Sequence, residues 1–147
     1  MNGDRVSLDT NVLFYSVDWD AGERHARAVS IVERARDWNC ILVLQTLGEF
    51  FAAATRKLLM PPADAAAHVE DWLRVFPVEA AGPATIRHAM AAVREHRLPF
   101  WDAMLWATAR QAGCTLLLSE DFQHGQVLGG VRFHNPFVAE VPLPPPE

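Results

Sequence analysis

The sequence predicts an α/β fold with a central, mainly parallel sheet of four to five strands. Three observations carry this. Short apolar runs, among them Val6-Ser7-Leu8, Ile41-Leu42-Val43-Leu44 and Thr115-Leu116-Leu117-Leu118, alternate with stretches of helical periodicity. Those runs are continuous, as in parallel strands buried on both faces. A strand–helix–strand succession requires right-handed crossovers, which put helices over both faces of the sheet.

The first strand is expected at Val6 to Asp9. A helix follows at about His25 to Trp38, with Ala28, Val29, Val32 and Ala35 along one face. Ile41 to Leu44 reads as a second strand. Gln45 to about Leu58 reads as a helix that Pro61-Pro62 stops. The next helix runs from about Ala63 to Phe76, with Val69, Trp72, Leu73 and Phe76 as its apolar stripe. Pro77-Val78-Glu79 fits a short edge strand. Helices are expected at about Pro83 to Glu95 and Pro99 to Gln111, the latter ended by Gly113. Thr115 to Leu118 and Val131 to Phe133 complete the strands. Residues 141–147 are rich in proline and read as a flexible tail.

The 147 residues suit a single domain over 1–147, and 50% are hydrophobic, enough to bury a core. No run of about 18 apolar residues exists, so no membrane span is expected. The apolar run after Met1 reaches Asp9 too soon for a signal peptide, and a cytoplasmic location is the default expectation. Cys40 and Cys114 each open an apolar run and read as buried thiols. His25, His68 and His88 fall on helical patterns and are expected to face solvent; His124 reads as a loop residue. A net charge of −5 speaks against a broad basic nucleic-acid face. It leaves room for a nuclease whose clustered carboxylates are offset by cations.

In an open parallel sheet, ligands bind beyond the carboxyl ends of the strands. Four acids map to that edge. Asp9 ends the first strand, and Glu49 lies near the start of the helix after the second. Asp102 lies in the first turn of the helix opened by Pro99, and Asp121 just past the Thr115–Leu118 strand. Asp102 shares its helix face with Leu105, Trp106 and Ala109, where an uncompensated carboxylate is costly. Glu49 shares its face with Ala52, Ala53 and Arg56; the small residues are expected to let the helix approach the sheet and aim the carboxylate inward. One such acid is equally well a helix cap. Four converging acids raise each other's pKa and repel, and a divalent cation removes that penalty. Oxygen ligands suit Mg²⁺ or Mn²⁺, and the matching chemistry is phosphodiester hydrolysis. There is no Gly-Lys-Ser or Gly-Lys-Thr phosphate loop.

These segments resemble the PIN-domain ribonucleases, specifically the VapC-type toxins of toxin–antitoxin pairs. Ser7-Leu8-Asp9-Thr10-Asn11-Val12-Leu13 looks like the N-terminal signature, Gln45-Thr46-Leu47-Gly48-Glu49-Phe50 like the second segment, Phe100-Trp101-Asp102-Ala103-Met104 like the third, and Leu118-Ser119-Glu120-Asp121-Phe122 like the fourth. The resemblance implies a three-layer α/β/α sandwich and a Mg²⁺-dependent endoribonuclease, with Mn²⁺ as a substitute. It makes Asp9, Glu49, Asp102 and Asp121 both catalytic groups and metal ligands.

The resemblance gives Asn11 a supporting role. Asn11 either orients Asp9 or makes a local turn. Ser119 either holds a metal-bound water or the Asp121 carboxylate, or is a plain turn hydroxyl. Glu120 is an extra acid able to substitute for Asp121. Arg56, Lys57 and Arg97 are candidate RNA contacts, although solvated helix faces need such residues too.

The same resemblance implies a homodimer and a small antitoxin whose tail lies near the active site, with a basic side chain entering the acids. Trp19, Trp38 and Trp72, with Phe50, Phe51, Leu58, Leu59 and Met60, exceed what a small sheet needs; most are expected in the core and some in exposed patches that mark partners. Rival readings are a non-catalytic PIN-like module that binds RNA or protein, a phosphoacceptor domain, and a phosphatase or DNase on the same fold. The phosphoacceptor ranks low because the single lysine, Lys57, is on a helix.

Overall fold

The computed structural model describes residues 3–143. Strand β1 (Val6–Leu8) is fully buried and lies beside β4 (Leu116–Leu118), in parallel register with Val6 opposite Leu116. Strand β6 (Val131–His134) adds in parallel to β4, and β5 (Val127–Leu128) closes that edge antiparallel, giving the order β1-β4-β6-β5. Strands β2 (Leu42–Val43) and β3 (Val78–Glu79) form a separate parallel pair. A parallel bridge between Val6 and Cys40 ties that pair to β1, through Val6 N–H to Asn39 O and Ile41 N–H to Val6 O, each 2.9 Å.

Because side chains alternate along a strand, the sheet feeds two cores. Val6, Leu8, Leu42, Leu116 and Leu118 face one core, shared with α1 (Thr10–Val17), α2 (Glu23–Ala35), α3 (Leu44–Lys57) and α4 (Pro62–Val75). Val43, Leu117, Val131 and Phe133 face the other, shared with α5 (Pro83–His96) and α6 (Phe100–Gln111). The expected layered α/β architecture is therefore present. In α6 every residue from Ala103 to Ala109 is buried, so this helix has no solvent stripe along most of its length. Burying a Leu or Phe side chain contributes about 1.5–3 kcal/mol, which makes these two cores the main support of the sheet edge.

Two glycines are demanded by geometry. Gly113 adopts φ +84° directly after α6, where a left-handed residue ends the helix. Gly129 has φ +53°, and a Cβ there would stand 2.9 Å from Trp106 Cζ2. That contact lies beside the 3.0 Å bond from Trp106 Nε1–H to Leu128 O, which joins α6 to the β5–β6 hairpin.

Several expectations are corrected. Helix α1 and strand β5 were not foreseen: α1 has eight residues and buries only Val12 and Leu13 fully, while β5 has two residues, one exposed. Leu44 opens α3 rather than ending a strand. The tail does not fray at residue 141. Val141 and Leu143 pack into the first core, and Arg34 Nη2 lies 3.4 Å from Leu143 O. The remaining expected tail, 144–147, lies outside the described residues. His25 and His68 are half-buried, not solvent-facing. His25 Nδ1 is 2.9 Å from Tyr15 O, and His68 stacks on Trp72. His88 is exposed, as is His124, whose Nδ1 accepts from Asn135 N–H at 2.9 Å. Both cysteines are buried free thiols, and burial pushes Cys114 up to about 12 and Cys40 higher still. Among the described residues, no helix is long and apolar enough to cross a membrane.

Candidate active site

The site is built on the ends of β1 and β4. Asp9 follows β1, and its amide donates to Leu118 O at 2.9 Å, locking it to the end of β4. It is also the N-cap of α1. One carboxylate oxygen accepts from Thr10 N–H at 2.6 Å, and the other accepts from the Ser119 hydroxyl at 2.5 Å. Only 4% of Asp9 is exposed.

Burial raises the Asp9 pKa to about 7; the charges of Asp121 and Asp102 push it the same way, and the bonds from Ser119 and Thr10 resist. Asp102, half-buried at the start of α6, is raised by burial and then by Asp121 and Glu49. Asp9 and Asp102 therefore each feel two of the other acids, although the four lie on four separate segments. Among the described residues no hydrogen bond reaches the Asp102 carboxylate, and none of the four acids is ion-paired with a basic side chain.

The remaining two acids stand at the rim, and both are exposed. Glu49 accepts from the Thr10 hydroxyl at 2.9 Å and lies 3.4 Å from Gln45 Nε2. The expectation that flanking alanines aim it inward is wrong. Ala52 is exposed beside it, and α3 meets the core through Thr46, Leu47, Phe50 and Ala54. Its carboxylate is instead held through α1, by Thr10. Asp121 accepts from Asn11 Nδ2–H at 3.2 Å.

The supporting residues divide differently from expectation. Asn11 reaches Asp121, not Asp9. Ser119 donates to Asp9 and not to the Asp121 carboxylate, and its oxygen accepts from the main-chain N–H of Asp121 at 3.0 Å. Glu120 turns away from the acids. It accepts from the Tyr15 hydroxyl at 2.7 Å and from Arg24 Nε–H at 3.3 Å, so it is already neutralised. Arg56, Lys57 and Arg97 are exposed at the ends of α3 and α5, and no hydrogen bond or ion pair joins them to the acids.

Thr10 and Gln45 are functional-site neighbours that the sequence reading missed. Gln45 lies one helical turn before Glu49, and Thr10 directly follows Asp9; those spacings are the only signals that mark them.

The PIN domain family model matches residues 6–127. The chain belongs to the PIN domain family. That match spans all four acid-bearing segments of this PIN domain. Solved structures of similar fold include the Mycobacterium tuberculosis toxin VapC20, described as cleaving the sarcin-ricin loop; it is 20% identical, with 86% of this chain and 98% of that chain covered and a TM-score of 0.66. DNA-bound VapBC from Salmonella typhimurium is 18% identical, covering 89% of this chain and 97% of that one, with a TM-score of 0.62. VapBC2 from Rickettsia felis, bound to a promoter DNA fragment, is 9% identical, covering 89% and 98%, with a TM-score of 0.64. These likenesses are of fold. Among curated proteins none matches the chain.

Among the described residues, no three acid, histidine or cysteine side chains stand at ligand spacing. The chemistry of the site nevertheless fits a hard cation. The donors are oxygen only, the innermost carboxylate is buried without a basic partner, and the four acids oppose one another through their fields.

Proposed function

We propose that this PIN domain is a metal-dependent endoribonuclease and the toxin of a toxin–antitoxin pair. The observation that carries the reading is Asp9: a carboxylate almost wholly buried, raised to about 7, facing other acids and no cation of the protein. Such a group is expensive to retain for structure alone. Asp9, Asp102, Asp121 and Glu49 would hold Mg²⁺ or Mn²⁺, which when bound supplies a water-derived nucleophile and stabilises charge on the scissile phosphate.

The chain's own residues do the positioning. Ser119 and Thr10 each bond one oxygen of Asp9, so the carboxylate is held in one orientation. Asn11 steadies Asp121 at the rim. Thr10 also restrains Glu49, so α1 links the buried acid to the exposed one.

RNA as substrate agrees with the description of VapC20, whose fold is similar. An antitoxin partner agrees with the VapBC assemblies among the similar folds. A homodimer belongs to the same reading, and exposed Trp19, Leu59 and Phe51 offer apolar surface for such contacts. The test is incubation of the purified protein with RNA and with DNA, in Mg²⁺, Mn²⁺ or EDTA, beside Asp9→Asn and Asp102→Asn. The reading expects RNA cleavage that EDTA abolishes and that each variant lowers by at least about a hundredfold. Metal-independent cleavage, or RNA binding without cleavage in either metal, would overturn it, the latter in favour of a non-catalytic module.

A further inference from the structure

We propose that Trp101 is a stacking platform for an unpaired nucleobase next to the scissile phosphate. The inference rests on the ribonuclease reading and names a contact that would select the substrate. Trp101 occupies the first turn of α6, one residue before Asp102. It is 62% exposed, whereas the seven residues from Ala103 to Ala109 are all buried. Trp106, on the same helix, is 5% exposed, with its indole N–H bonded to Leu128 O. Packing thus accounts for Trp106 and leaves the large apolar surface of Trp101 in water, beside the acids.

The position of Trp101 is fixed. Its carbonyl accepts from Gln45 Nε2 at 3.1 Å, and the same nitrogen is 3.4 Å from Glu49 Oε1. One amide therefore joins the backbone that carries the indole to the carboxylate at the rim. The Phe100 ring meets the indole edge-on, with centroids 4.9 Å apart and ring planes 75° from parallel. An edge-on neighbour supports an aromatic ring without covering it as a stacked ring does.

An exposed, anchored aromatic beside oxygen ligands fits unpaired RNA better than duplex. Every base has a π face, and stacking compensates for charge that this acidic surface lacks. The chain's net charge of −5 makes a phosphate-led grip weak, so base stacking is the contact that remains available.

The probe is a fluorescein-labelled single-stranded oligoribonucleotide of roughly 12 nucleotides and mixed sequence, with an abasic strand of equal length as control. Binding is read by anisotropy in the Asp9→Asn background, so that cleavage does not intervene. Trp101→Ala is expected to weaken binding about tenfold, and Trp101→Phe to retain affinity within about threefold. The abasic strand should not distinguish the three proteins, and the salt dependence should be unchanged because no phosphate contact is lost. Equal affinity of Trp101→Ala and its parent for the base-containing strand, or no binding by the parent, overturns the proposal. So does a Trp101→Ala protein whose mass by light scattering falls while RNA affinity holds, which would make the indole a contact between copies. Cleavage by the otherwise native chain that Asp9→Asn abolishes keeps the nuclease reading whichever way Trp101 behaves, so the two failures are separable.

Discussion

Glu120 and Asp121 are neighbours in the chain and sit in opposite electrostatic settings. Glu120 points toward α1 and α2, where the Tyr15 hydroxyl and Arg24 occupy its two oxygens. Its negative charge also lifts the Tyr15 hydroxyl, which burial already raises, to about 12. Asp121 instead accepts from Asn11, and its charge adds to the raised pKa of Asp9 and of Asp102. One acid has been answered by the protein; the other belongs to a group that has not. Residue type does not distinguish the two carboxylates; the Arg24 guanidinium beside Glu120 does.

The sharpest way to break this contrast is at its innermost member. Asp9→Asn should lower RNA cleavage at least about a hundredfold, measured as kcat/KM, whereas Glu120→Gln should leave it within about threefold. Asp9 also makes a pH prediction. Its pKa is about 7 in the fold against an ordinary 3.8, so the folded state holds this proton more tightly than the unfolded chain. The stability it contributes is complete below about pH 4 and is lost as pH rises through about 7. In EDTA, Tm should fall over that window, and the fall should shrink in Asp9→Asn.

A smaller effect is expected one layer out. Ser119→Ala removes the hydroxyl that holds Asp9 and accepts from the Asp121 amide, and it should lower activity about tenfold to a hundredfold with the fold intact by circular dichroism. The smallest effect belongs to the answered acid. Arg24 is 55% exposed in its pair with Glu120, so Arg24→Ala should cost at most about 1 kcal/mol in urea unfolding and change cleavage by no more than about twofold.

The layers, the strand ends and two of the four candidate acids leave a local mark in the sequence. Asp9 closes an apolar run, and Asp102 shares its helix face with Leu105, Trp106 and Ala109; both are anomalies visible within a few residues. What the sequence reading missed is set by contacts between distant segments. Thr10 bonds to Glu49 across 39 positions, Arg24 to Glu120 across 96, and Tyr15 to Glu120 across 105. No periodicity encodes those pairings. Glu49 was misjudged for a related reason. Small neighbours suggested close approach to the sheet, but the core side of α3 is chosen by Thr46, Leu47 and Phe50. Likewise, proline content alone suggested a loose tail, whereas Val141 and Leu143 find room in the first core.

The central claim is that Asp9 and its opposing acids share a divalent cation. Isothermal titration of Mn²⁺ into the protein at pH 8 tests it most directly, beside Asp9→Asn and Glu120→Gln. The account predicts saturable binding that Asp9→Asn loses and Glu120→Gln keeps. Equal binding by Asp9→Asn and the native chain, or no saturable binding by the native chain, would contradict it.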